Sequence, residues 1–365
     1  MEIAIVGLAG SGKTTVFNTL TRGHAETGGY GGMTVNVGVV KVPDPRLTQL
    51  TTLFKPKREV PADVTYIDLP APPPTEGATA NDMPADALAR LRNADALLHV
   101  VRAFDDPAVP HASGSVDAWR DLEQLDLELT LADLSMAEKR LEKLHASGRH
   151  GTPVEREANE REMVVLERIV PGLAAGTPIR GLGLDDDAAK TIRGFRFLTE
   201  KPVLVLLNVG EGDLAGAEAQ VAAIRERYDH RRSMVDALSA RIEMEIGELD
   251  EESAAVFREE LGLAESSLDR VIRLSYRLLG LISFFTAGPD ETRAWTIHDG
   301  ETSVDAAAAI HSDLGRGFIR AEVVAWEDLL ELGSMAEARR HGRLRSEGKT
   351  YRVKDGDVVE ILFNV

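Results

Sequence analysis

Cysteine is absent from the 365-residue chain. That excludes disulfides, thiol catalysis and cysteine-ligated metal sites. Positive charge is scarce: 42 lysines and arginines face 60 aspartates and glutamates, a formal net charge of −18. A chain this acidic is no general nucleic-acid binder, so no DNA partner is expected and any RNA contact must come from a local basic patch. No apolar run approaches the ~20 residues of a membrane helix. The opening MEIAIVGLAG has neither a basic leader nor a long apolar core. The expectation is a cytoplasmic monomer that does not contact membranes. A Ser/His/Asp set, an HExxH pair and an internal repeat are also missing. What is present is a hydrophobic fraction of 43%, enough for a real core. The chain is too long for one ordinary domain, and two or three are expected.

The first informative stretch is VGLAGSGKTTVF, Val6 to Phe17. It carries the phosphate-loop spacing G-x-x-x-x-G-K-[ST], from Gly7 through Gly12, Lys13 and Thr14. Glu2 to Val6 reads as a buried strand before it, and Val16, Phe17 and Leu20 share one face of a helix after it. A glycine turn with a chance lysine is the bland alternative, which the strand–motif–helix context disfavours. Gly7, Gly10 and Gly12 let backbone N–H groups turn toward phosphate, and the helix N-terminus adds partial positive charge. Gly10, Ser11, Gly12, Lys13, Thr14 and Thr15 are the expected phosphate-binding residues. Lys13 reaches the outer phosphates, and the Thr14 hydroxyl ligates Mg²⁺.

A nucleotide switch also needs a sensor of the γ-phosphate. Thr34, in GGYGGMTVNVG, is the candidate and the second expected Mg²⁺ ligand. VTYIDLPAP ends an alternating strand at Asp68, the expected Walker B acid, which holds Mg²⁺ through water. Where GTPases continue D-x-x-G, this chain has Ala71 and then Pro72, which offers neither a side-chain acceptor nor an N–H. Switch II, followed by the proline-rich PAPPPTEGATANDMP, is not expected to position water in the usual way. The base-reading element comes later. KPVLVLLN reads as a buried strand ending at Asn208, followed by Val209, Gly210 and Glu211. The guanine-reading N-K-x-D is here N-V-G-E. Glu211 is a longer acid, and Val209 replaces the lysine that flanks the base, so discrimination against adenine should shrink. SMVDALSA brings Ser239 and Ala240 up as the second base-contacting loop.

With these motifs the chain resembles the YchF/Obg-like ATPase branch of the translation-factor-class P-loop GTPases. Matching stretches include GVVKVPDPRL (38–47), LGLAESSLDRVIRLSYRLLGLISFFTAG (261–288), IHSDLGRGFIRAEVV and the ending EGKTYRVKDGDVVEILFNV. The resemblance implies an α/β fold: a P-loop NTPase G domain with an inserted α-helical coiled-coil hairpin and a C-terminal β-grasp (TGS) domain. It also implies ATP use through the N-x-x-E variant, and ribosome association. Two stretches depart from the family's pattern. DLPAPPPTEGATANDMP stands where D-x-A-G and a glycine- and lysine-rich switch II are usual, and G-S-G-K-T stands for N-V-G-K-S.

The expected boundaries are 1–118 with 196–280 for the G domain, 119–195 for the hairpin and 281–365 for the TGS-like domain. Leu134, Ala137, Leu141 and Leu144, then Asn159, Met163, Leu166 and Val170, repeat at helical spacing on either side of HASGRHGTPVE. Two arms covering each other's seams are expected. At the tip, Lys139, Arg140, Lys143 and Arg149 outnumber Glu138 and Glu142. With Arg316 and Arg320 of the tail they form an expected RNA-contacting surface, against the blander reading of a solvated helix end. In the tail, SVDAAAAIHSDL reads as a helix capped by Ser303, and a hairpin is expected around Asp355-Gly356. Asp355 and Asp357 are read as a solvated turn, not a metal site, and His311 as a structural helix end.

The function expected is a slow nucleoside triphosphatase that binds ATP, or GTP, with Mg²⁺ and acts as a regulatory switch on the ribosome or its RNA. The second reading is a nucleotide-dependent RNA- or ribosome-binding module that no longer hydrolyses. The two part company at Ala71 and Pro72. A metabolic P-loop kinase is disfavoured, because no acceptor-substrate lid is recognisable and the tail would be unexplained.

Overall fold

The structure is a computed structural model and describes residues 1–23, 35–69, 85–111, 113–147, 152–263 and 265–364. Thr34, Ala71, Pro72 and Arg149 lie outside the described residues. The chain divides into two compact units, 1–38 with 65–271 and 39–64 with 272–365.

Apolar β1 (Glu2–Val6) leads through the phosphate loop into α1 (Lys13–Thr21), which buries Val16, Phe17 and Leu20 as its spacing predicts. Next come β2 (Asn36–Lys41), α2 (Pro45–Phe54), β3 (Arg58–Val60) and β4 (Asp63–Asp68). They are followed by α3 (Ala85–Asn93), β5 (Ala96–Ala103), α4 (Ala118–Ser147), α5 (Pro153–Ala174) and α6 (Asp186–Ile192). The alternating pattern resumes with β6 (Val203–Val209), α7 (Ala217–Arg227), β7 (Ser233–Leu238), α8 (Ala240–Gly247), α9 (Glu251–Glu260) and α10 (Ser267–Leu278). The first sheet has the order β2-β4-β1-β5-β6-β7, and the pairs β4–β1, β1–β5, β5–β6 and β6–β7 are parallel. Every residue of β6 is buried, and all but the last of β5, as expected of parallel strands covered on both faces. The C-terminal ends of β1, β5, β6 and β7 therefore line one edge, where open α/β sheets bind ligands.

α4 and α5 form the expected hairpin. Ala137, Leu144, Leu166, Ile169 and Leu173 make its core, with Leu134, Leu141, Met163 and Val170 packed against them. Asn159 is not part of this core. The break is shorter than expected, because Pro153 already opens α5 behind a Thr152–Glu155 capping box. One tip cation is also not free for RNA: Arg140 makes a two-pronged bond to Glu162 across the hairpin, at 2.5 and 2.9 Å. Lys139 and Lys143 are exposed.

The base of the hairpin is fixed by buried charge. Arg180, in the short turn Ile179–Gly181, donates to Asp126 of α4 (2.6 Å) and to the Tyr228 hydroxyl (2.9 Å), which itself donates to Asp126 (2.6 Å). Burial works to raise the Asp126 carboxyl, and the Arg180 guanidinium overrides it, holding Asp126 below the usual carboxylate range.

In the second unit, β8 (Leu281–Ala287) and β9 (Glu291–His298) precede α11 (Ser303–Ile310) and α12 (Ser312–Arg316). β10 (Phe318–Ala325), α13 (Trp326–Leu332), α14 (Met335–Arg340), β11 (Arg345–Glu347) and β12 (Asp357–Phe363) complete it. The sheet runs β11-β10-β12-β8-β9-β3, with Ala306 and Ala307 of α11 packed in its core. Its last strand, β3, comes from the 39–64 segment and pairs in parallel with β9, a return of the chain that the sequence did not announce.

Three tail readings are corrected. The cap of α11 is Thr302, whose side chain exchanges bonds with Asp305 in a capping box; Ser303 is the first helical residue. No hairpin forms at Asp355-Gly356, since β12 pairs with β10 and β8 instead. Of the two acids, Asp355 is exposed in a turn, as expected, whereas Asp357 is buried. Asp355 accepts from Ser283 N–H (2.9 Å) and Arg46 (2.8 Å), while Asp357, 3% exposed, accepts from the Tyr351 hydroxyl (2.8 Å) and Lys354 N–H (2.9 Å). Arg316 also pairs with Asp313. His311 is a helix end, as expected, closing α11 and capping α12.

Removing Arg180 strands a buried carboxylate. Arg180→Met is expected to lower the unfolding free energy by about 3 kcal/mol in denaturant titration, and adding Asp126→Leu should recover part of that. A loss below about 1 kcal/mol would mean that the pair behaves as a solvated one.

Candidate functional site

The phosphate loop holds its shape through glycine geometry and two side-chain anchors. Gly12 sits at φ 92°, and a Cβ there would collide with the Asn208 amide nitrogen. Lys13, 8% exposed, donates to the carbonyls of Gly7 (3.0 Å) and Leu8 (3.1 Å). Burial lowers its pKa to about 8, with Asp68 pulling the other way. The Thr14 hydroxyl donates to Asp68 Oδ2 (2.9 Å), and Asn36 Nδ2 approaches the same oxygen (3.3 Å). Burial pushes the Asp68 carboxyl up against these bonds, and its Oδ1 is buried without a partner among the described residues. Thr15, half-buried, gives its carbonyl to Thr19.

Asn208 is committed at both ends. Nδ2 donates to Ser11 O (3.0 Å), and Oδ1 accepts from Ala240 N–H (3.1 Å). The residue expected to touch the base ties the phosphate loop to the start of α8, and its Nδ2 keeps a second N–H. Val209 is also corrected: β6 runs one residue past Asn208, so Val209 is 2% exposed and belongs to the apolar core. Glu211 is exposed, opening the short 3₁₀ turn Glu211–Gly216. Ser239 precedes α8 with its hydroxyl buried and unpartnered among the described residues.

Two residues that the motifs did not mark lie beside Asn208 and Gly210. Phe104 Cε1 lies 4.0 Å from the position a Cβ on Gly12 would take, and Phe104 Cβ lies 3.7 Å from that on Gly210. Arg102, 3% exposed on β5, stands over the Phe104 ring. A charged residue inside ALLHVVRA was the available signal, because a buried charge demands partners. Beneath the loop, a cavity of about 10 Å³, room for one water, is lined by Leu8, Ser11, His99, Arg102, His111 and Asp121. His111 contacts Asp121 there (2.7 Å), and burial lowers the His99 pKa to about 4.

Lys13 links the site to pH. Its ordinary value is 10.5 and its folded value about 8, so between these pH values the unfolded chain holds a proton that the folded chain has released. Stability then rises with pH across that window. Without nucleotide, wild type should gain on Lys13→Met in denaturant midpoint as pH goes from 7.5 to 10. A constant difference between the two would refute the buried lysine. Lys201, also lowered to about 8 by burial, cancels because both proteins contain it.

The site's phosphate loop and strand-end turns can be set beside known proteins. A family model described as a 50S ribosome-binding GTPase matches residues 2–142. The YchF-GTPase_C model, described as a protein of unknown function (DUF933), matches 281–364. The curated ribosome-binding ATPase YchF of Bacillus subtilis is 41% identical over 376 residues, covering both chains completely. The protein of that name from Haemophilus influenzae is 39% identical over all of this chain and 99% of its own. The solved structure of the Schizosaccharomyces pombe YchF GTPase superposes with a TM-score of 0.84 at 29% identity, over 99% of this chain and 97% of that one. Identity at this level along the whole of both chains means that the chain belongs to the YchF family.

Proposed function

We propose that this chain binds ATP with Mg²⁺ and hydrolyses it slowly, as a switch on the ribosome. The observation that carries the reading is the convergence on one sheet edge of the phosphate loop, the N-V-G-E turn and the Ser239-Ala240 turn, in a chain whose relatives are named ribosome-binding ATPases. Gly10 to Thr15 bind the phosphates, with Lys13 exchanging its two carbonyl partners for phosphate oxygens. Thr14 and Asp68 fit Mg²⁺: a hydroxyl and a carboxylate with a buried oxygen unpartnered among the described residues are the hard donors this ion takes, and phosphates and waters supply the rest. Thr34 is the further ligand in this reading. Bound Mg²⁺ neutralises charge on the phosphates.

The purine lies against Phe104, with Glu211 and the backbone of Gly210, Ser239 and Ala240 around its edge. Asn208 acts as the brace, and the second N–H of its Nδ2 remains for the base. A guanine-specific carboxylate faces guanine N1–H and repels the adenine N1 lone pair; the longer Glu211, on an exposed turn, is not held to that position. The proposed boundaries remain 1–118 with 196–280, 119–195 and 281–365 (TGS-like), with 39–64 contributing to the second unit. Lys139 and Lys143 at the hairpin tip are the RNA-facing cations, and RNA phosphate contacts make ribosome association fall with salt.

Calorimetry should find ATP bound at least as tightly as GTP. A hundredfold preference for GTP, roughly 2.7 kcal/mol, would sink the adenine assignment.

Single-turnover hydrolysis of bound ATP, with and without ribosomes, tests the switch. Faster turnover on ribosomes is expected. No turnover in either condition would favour the non-hydrolysing module. Co-sedimentation with ribosomes should weaken when Lys139 and Lys143 are both changed to glutamate; equal sedimentation would remove the tip from the interface.

A further inference from the structure

Arg102 belongs to no recognised motif, yet it spends a buried charge inside a buried strand. We propose that it is a positioning residue for the purine: its guanidinium clips the segment 104–109 so that Phe104 stays at the base-reading edge. The inference rests on the nucleotide-site reading above. Nε donates to Phe104 O (3.1 Å), and Nη2 donates to Val109 O (2.8 Å) and, more weakly, to Asp106 O (3.5 Å). One planar fork thus grips both ends of the segment. The guanidinium carbon also stands 4.6 Å from the Phe104 ring centroid, within cation–π range. The segment reinforces itself, with Ala108 N–H bonded to Asp106 Oδ1 (2.8 Å) and Val109 N–H to Asp106 O (3.0 Å).

The clipped segment touches the site at three points. Phe104 meets Gly12 and Gly210, as described. Val109 Cγ1 lies 3.3 Å from the position of a Cβ on Gly10, the crest of the phosphate loop, where φ is 74°. Arg102 Nη1 lies 3.6 Å from the same position, buried and without a partner among the described residues. An arginine serving only the fold would be expected to pair its buried donors. This one turns its paired donors to holding the segment that carries an aromatic ring. In the strand register Arg102 stands opposite Asn208, so the clip and the Asn208 brace start from adjacent strand ends.

The geometry requires the fork. Lysine at 102 keeps a positive charge but presents a single point of donors, which cannot hold the carbonyls of Phe104 and Val109 in one plane. A base stacked on an aromatic ring is sequence-tolerant and depends on where the ring is held. Loss of the clip should therefore be felt by ligands that have a base and not by those that have only phosphates.

The test is calorimetric titration of ATP and of inorganic tripolyphosphate into wild type, Arg102→Gln, Arg102→Lys, Phe104→Ala, the double variant Arg102→Gln/Phe104→Ala, and Lys13→Ala. Both Arg102 variants and Phe104→Ala should each weaken ATP about tenfold and leave tripolyphosphate unchanged. The double variant should lose little more than either single one, because both act on the same ring. If Arg102→Gln fails to fold, Arg102→Lys carries the comparison alone. Unchanged ATP affinity, or an equal loss for both ligands, would overturn the inference. Full ATP affinity in Arg102→Lys would do so too, since charge and not the fork would then suffice. Lys13→Ala should weaken both ligands; if it weakens neither, the nucleotide-site reading itself has failed, whatever the Arg102 variants do.

Discussion

The two hydrogen bonds of Asn208 hold the site together. One end of its amide takes the Ser11 carbonyl and the other takes the Ala240 N–H. Those partners belong to two separate stretches of chain, the turn after β1 and the start of α8, and Asn208 lies at the end of β6 between them. Gly12 follows from this, because any side chain there would strike the amide. A side chain bonded at both ends and 5% exposed has little freedom, so the loops it joins are set before a ligand arrives. Preorganisation of that kind lowers the ordering cost of binding.

Around the brace, the charged groups are held by partners that a nucleotide could replace. Lys13 rests on two carbonyls, and Thr14 rests on Asp68. Burial opposes the charged form of both Lys13 and Asp68. Triphosphate and Mg²⁺ would reverse that pressure, because each brings the opposite charge to the group that burial penalises. Nucleotide binding here would therefore be coupled to proton balance, with Lys13 as the group that burial has already shifted down.

The sequence made some of this legible and hid the rest for definite reasons. The placement of Gly7 to Thr14, Asp68, Asn208 and Ser239 could be read because each lies at or just past the end of a strand whose apolar run is plain, and parallel strands deliver their C-terminal ends to one edge. The role of Asn208 could not be read, since its two partners are far away in sequence. Val209 was misread by analogy of spacing: one extra residue of strand turned it into the core. Phe104 and Arg102 depend on the register between β5 and β6, which one strand's sequence does not contain. In the second unit the helix α11 was plain, but its cap was displaced by one residue. Asp357 looked solvated because Tyr351, whose hydroxyl binds it, is not its neighbour in a turn. β3, paired with β9, likewise carries no local signal of its partner.

Ala240 offers the sharpest probe of the brace. It is the first residue of α8, where backbone N–H groups have no acceptor within the helix, so its protection from solvent exchange has to come from Asn208 Oδ1. Amide hydrogen exchange on the nucleotide-free protein, read at Ala240 by NMR, should be slow in wild type. It should be fast in Asn208→Leu, which keeps the bulk and loses both bonds. Fast exchange in wild type, or slow exchange in both proteins, would contradict a site organised by Asn208.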